Sequence, residues 1–187
     1  DPEINKYLNR NSPFSGIWEN IIHTEGEDLP EETQALIAEY LHPKLKKMFE
    51  EQADNPFAFL LPKKSAYKTA NLVDVELSAS PISPLFKVTS NGEQLELTCQ
   101  VKLNGQTVPI QKNECDSNLV FLYDQTLYLW HKPEDVMQAS KFLRDGNVRL
   151  NKSNWTEKMQ QVILPLTKEY QVEFDRSLVK EVKSVNP

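Results

Sequence analysis

The sequence predicts an α+β fold: an antiparallel β-meander of about five to seven strands packed with amphipathic helices, preceded by a helical N-terminal segment. Three observations carry this. Two Asn-Gly pairs interrupt alternating apolar and polar stretches, a third pair of apolar runs brackets Asp124-Gln125, and apolar stripes at helical spacing lie on both sides of the strands.

The strands come first. Asn91-Gly92 and Asn104-Gly105 suit two-residue type I′ turns, in which both central residues take positive φ. A turn at Asn91-Gly92 pairs Ser90 with Glu93, Val88 with Leu95 and Phe86 with Leu97. A turn at Asn104-Gly105 pairs Leu103 with Gln106, Val101 with Val108 and Cys99 with Ile110. The shared strand then turns Leu95, Leu97, Cys99, Val101 and Leu103 to one side, and Glu96, Thr98, Gln100 and Lys102 to the other. Two independently placed turns agree on one buried face.

Around this centre, Tyr67 to Leu77 ends in alternation, with Val73, Val75 and Leu77 inward and Asp74 and Glu76 outward. Leu119–Tyr123 and Thr126–Trp130 form a third hairpin; both its faces are apolar, which places it at a sheet centre or beneath helices. Val172 and Phe174 suggest a short last strand.

Helices flank the strands. Gly16 to Ile22 is a short candidate. Pro30 opens a second helix, with Glu31 and Glu32 at the positive end of its dipole. Its stripe of Leu36, Ile37, Tyr40 and Leu41 resumes after Pro43 as Leu45, Met48 and Phe49, which predicts two helices or one kinked helix. Pro133 and Gly146 bound a helix with Val136, Ala139, Phe142 and Leu143 inward. Asn154 caps another, whose stripe runs from Trp155 to Tyr170 and kinks or ends near Leu164 ahead of Pro165. The expected organisation is residues 1–62 as the helical segment and 66–187 as the sheet with its helices.

Composition narrows function. In 187 residues the net charge is −6, which argues against a broad phosphate-binding surface. The charge is uneven: residues 1–125 carry 11 basic and 19 acidic side chains, residues 126–187 carry 10 and 8. Mixed signs of this kind are ordinary for solvated helix faces. No run approaches the ~18 apolar residues of a membrane span. With two cysteines, Cys99 and Cys115, a reduced cytoplasmic protein is the simpler account. The chain begins at Asp1 and ends at Pro187 like an excised fragment, expected to be monomeric.

Catalytic motifs are not found. The glycines form neither a G-x-x-x-x-G-K-[ST] loop nor a G-x-G-x-x-G turn, and no nucleophile elbow appears. His23, His42 and His131 lack partners at zinc-site spacing and read as ordinary surface or boundary residues. Cys115 has acidic neighbours that oppose thiolate formation, and Cys99 is a small apolar filler. Asp74 and Glu76 share a face as carboxylates for acid–base work do, but alternation already explains them. The expectation is a non-enzymatic fragment without cofactor or metal. One place invites nucleic acid: Phe121, Tyr123, Tyr128 and Trp130 are a stacking platform if their face is open, with Lys132, Lys141, Arg144, Arg149 and Lys152 as candidate contacts. Core packing is the better account of these aromatics in a small sheet followed by helices.

Three stretches together carry a resemblance: Ser83–Val88 through both Asn-Gly hairpins to Val108-Pro109-Ile110, the hairpin Leu119–Trp130, and Ile163-Leu164-Pro165-Leu166 through Tyr170-Gln171-Val172. Their order resembles the region upstream of the ATPase core in bacterial Swi/Snf-type helicases, especially Bacteroides-like ones, over roughly residues 65–183; it is a pattern of strands and helices without a short signature. The resemblance implies an ATP-dependent translocase on double-stranded DNA in the cytoplasm. The family's nucleotide-binding lysine and metal-binding acidic motif have no counterpart here. This stretch is then an accessory module that positions DNA or the motor lobes, its partners the rest of the parent chain and, as a candidate, double-stranded DNA. The alternative is a stand-alone or periplasmic module that binds a protein or glycan through a sheet edge or the aromatic hairpin.

Overall fold

A computed structural model describes residues 30–53, 57–60, 72–91, 94–114, 119–151, 153, 155–176 and 178. The candidate helix at 16–22, His23, Cys115, Lys152 and the Asn154 cap lie outside them. The fold is α+β, with two mixed sheets. The described residues divide into two units, one drawn from Asp1–Ile82 and Asn113–Ser140, the other from Ser83–Lys112 and Lys141–Pro187. The chain thus interleaves the units, where a single boundary between residues 62 and 66 was expected.

In the first unit, α1 (Glu31–Leu36) and α2 (His42–Gln52) are joined by a π-helical turn, Ile37–Leu41. Proline has no N–H and its ring collides with the carbonyl four residues back. Here the turn ahead of Pro43 is widened: the His42 N–H reaches the Ile37 carbonyl, and the helix passes the proline without stopping. Phe49 of α2 packs against Val75 and Leu77 of β2 (Leu72–Leu77), Val120 and Leu122 of β6 (Val120–Tyr123), and Leu127 and Leu129 of β7 (Thr126–Leu129). With β1 (Phe57–Leu60), these strands form a sheet in the order β1-β2-β7-β6. The third hairpin forms as expected, with Tyr123 opposite Thr126; Asp124 and Gln125 both take positive φ, 49° and 59°.

Strand β2 runs parallel to β7, which a purely antiparallel meander does not contain. A parallel partner needs a long crossover, and the strands between Pro84 and Pro109 of the second unit lie between them in the chain.

The second unit centres on β3 (Pro84–Asn91) and β4 (Gln94–Leu103). All of Leu95, Leu97, Cys99, Val101 and Leu103 are buried, while the residues between them are more open, as the alternation requires. The Asn104-Gly105 turn has φ of 47° and 84°, and Leu103 pairs with Gln106 and Val101 with Val108, as expected for type I′. Ile110 instead begins a 3₁₀ turn, Ile110–Lys112, just past β5 (Gln106–Pro109), so it has no ladder partner in Cys99.

The first hairpin is corrected. Phe86 lies opposite Cys99 and Val88 opposite Leu97, two residues away from the expected pairs, and Asn91 pairs with Gln94. A two-residue slip preserves which face each side chain occupies, so the buried pattern does not distinguish the registers. Size does. Phe86 also meets the Phe142 ring at 5.3 Å and the Tyr170 ring edge-on at 5.4 Å, and the small Cys99 opposite leaves room for both.

Two four-residue strands lie end to end along the other edge of β4: β5 against Gln100–Leu103, and β8 (Val148–Asn151) against Gln94–Leu97. Strand β9 (Gln171–Phe174) runs parallel to β3, with Val172 beside Phe86. Helix α3 (Pro133–Asp145) stops at Gly146, which has φ of 71° and donates to the Phe142 carbonyl at 3.0 Å. Beyond β8, α4 (Trp155–Lys158) continues through a π-helical turn, Met159–Ile163, into α5 (Leu164–Glu169). The kink or stop expected near Leu164 is met by the same device as at Pro43, the Leu164 N–H reaching the Met159 carbonyl. Trp155, Met159 and Ile163 are buried along this helix.

Candidate functional site

The aromatic hairpin is not an open platform. Phe121 and Trp130 are fully buried and meet edge-to-face at 6.1 Å, and Tyr128 is buried as well. Tyr123 alone of the four is half-exposed, stacked on Phe121 at 6.5 Å. Alternation divides the hairpin: Leu122, Leu127 and Leu129 join the Phe49 cluster, so the aromatics take the opposite face.

Lys132 belongs to the first unit, and Lys141, Arg144 and Arg149 to the second. Arg144 holds Asp145 with Nε–Oδ1 at 2.9 Å and a second contact to Oδ2 at 3.1 Å. This hydrogen bond, with the nearby charges of Arg144 and Lys141, keeps the Asp145 carboxyl below the usual aspartate range. Arg149 is exposed on β8, directly across the ladder from Glu96. Two of the basic residues therefore face carboxylates of their own unit. Asp74 and Glu76 lie exposed on the outer face of β2, as the strand alternation predicts.

One edge strand is blocked from within. Asn113 Nδ2 donates to the Val120 carbonyl at 3.2 Å, and its Oδ1 accepts from the Leu122 N–H at 2.8 Å. The Glu114 N–H then donates to the Leu122 carbonyl at 2.8 Å. An amide side chain and one backbone group thus take the place of a neighbouring strand on the outer side of β6, closing it to another chain.

A pocket of about 130 Å³ lies in the first unit among α2, the Ser78–Pro81 loop and the end of β7. Phe49 and Leu129, both buried, form its apolar floor, and Trp130, whose ring lies on the opposite face of the sheet, borders it. Lys46, Glu50 and His131 are its exposed polar members. Along α2 the spacing His42, Lys46, Phe49, Glu50 brings four side chains to one helix face. His42 was expected at the surface or a boundary; it is instead buried at 8% exposure, its Nε2 lying 2.9 Å from the Trp130 carbonyl. A carbonyl only accepts, so Nε2 carries the proton. Ile82 pairs with Trp130, and the His131 N–H donates to the Ile82 carbonyl at 2.7 Å, which fixes the wall carrying His131. The sequence places His42 at a boundary before Pro43; its sharing of a helix face with Lys46 and Glu50, and its partner 88 residues away, come from the fold.

Among the described residues, no group of three or more His, Cys, Asp or Glu side chains is placed to hold a metal ion, and no helix is long and apolar enough to cross a membrane. No family model, curated protein or solved structure matches the chain.

Proposed function

We propose that this chain is a non-catalytic accessory domain of an ATP-dependent Swi/Snf-type DNA translocase, acting in the cytoplasm to help position the motor lobes or the DNA. The observation that carries the reading is the order of its strands and helices. The first stretch that carries the resemblance forms β3, β4 and β5 of one sheet, and the third ends in β9, laid parallel on β3. The pairing of Arg144 with Asp145, and the position of Arg149 opposite Glu96, favour lobe positioning over a strong phosphate grip.

The test is titration with duplex DNA over a range of salt concentrations. Weak binding that falls with salt supports the proposal. Failure to bind at low salt, combined with saturable affinity for a glycan, overturns it in favour of an interaction module.

A further inference from the structure

The pocket beside His42 is too small for a nucleotide or a large cofactor. Sites for drug-sized ligands run to roughly 300–1,000 Å³, whereas this one holds about 130 Å³, on the order of four water-sized groups. A ligand of a few carbon atoms with one polar head fits that volume. The floor of Phe49 and Leu129 offers such a ligand apolar contact.

The rim decides the head group. Among the described residues, the side chains of Lys46, Glu50 and His131 take no hydrogen-bond or ion-pair partner, although all three are polar and border one concavity. Lys46 stands on α2 and His131 follows β7, two different elements bordering the same concavity, while Glu50 is the single acid among them. His42 already donates its Nε2 proton to Trp130, so its role is to hold the wall.

We propose that this pocket binds a short alkyl carboxylate, its head between Lys46 and His131 and its tail on the Phe49–Leu129 floor. The same chemistry is offered by a free short-chain acid and by the C-terminus of a peptide ending in an apolar residue. The site is independent of the accessory role, and its failure leaves that role untouched.

The experiment follows the backbone amides of Ala79, Trp130 and His131 by NMR in the full chain during titration with acetate, butyrate and 4-methylvalerate. Sodium chloride controls for ionic strength, and alkylammonium ions of equal length control for charge. Saturable shifts are expected, with affinity rising up to about fourfold per added methylene while the tail remains on the floor. Lys46→Ala abolishes the shifts. Glu50→Gln tightens binding by removing the one repulsive charge. Both residues are exposed, so neither variant disturbs folding. An N-acetylated Gly-Leu dipeptide compared with 4-methylvalerate tells the two sources apart. Equal or better binding of the ammonium series overturns the proposal, as do shifts that survive Lys46→Ala or no shifts at all.

Discussion

His42 donates its Nε2 proton to the carbonyl of Trp130 at 2.9 Å, tying the first turn of α2 to the end of β7 across 88 residues of sequence. Both residues are buried, so the bond forms where an unpaired carbonyl is costly. His42→Ala should therefore destabilise the chain by about 1–3 kcal/mol, measured by urea unfolding. A change below about 0.5 kcal/mol contradicts the bond's role.

The Asp124-Gln125 turn holds two non-glycine residues at positive φ. A type I′ turn favours glycine at its second position, and a left-handed backbone costs an ordinary residue on the order of 1 kcal/mol. Gln125→Gly should stabilise the protein by about that amount, read as a higher urea midpoint with an unchanged slope. A loss of stability shows that the Gln125 side chain contributes more than its backbone costs.

Asn113→Ala removes the amide that occupies the outer edge of β6. It should cost about 1–2 kcal/mol and leave a strand edge open to association. Light scattering at rising protein concentration reports the second effect. A variant whose association state and stability both match the parent chain's excludes the plug.

Asp145 should titrate below its ordinary value of 3.8, held there first by the hydrogen bond from Arg144. The sign follows from linkage: a folded pKa below the unfolded one adds stability above the unfolded value, lost as pH falls through the folded one. The pair is at the surface, so the contribution is small. NMR titration of the carboxyl carbon checks the midpoint, and Arg144→Gln should raise it.

What the sequence made legible is local. The Asn104-Gly105 turn, the Asp124-Gln125 turn, the limits of α3 and the buried side of β4 follow from turn chemistry, caps and alternation. The two-residue slip at Phe86 was hidden because both registers bury the same side chains; the choice depends on Phe142 and Tyr170, which arrive from far along the chain. The parallel pairings of β2 with β7 and β3 with β9 were hidden for a related reason, since no turn specifies them. Pro43 and Pro165 were legible as obstacles, but not the π-helical turns that carry each helix past them. At the pocket, His42 read as a boundary residue because Pro43 was expected to interrupt the helix; the π-helical turn carries the helix through, and the wall opposite depends on the fold.

The accessory role is tested most directly by ATP hydrolysis in the parent protein, assayed with and without residues 1–187, in the presence and absence of duplex DNA. The account predicts that basal hydrolysis survives removal of this region while its stimulation by DNA changes. A parent chain with no DNA-stimulated ATPase, or one whose stimulation is the same with the region removed, contradicts it.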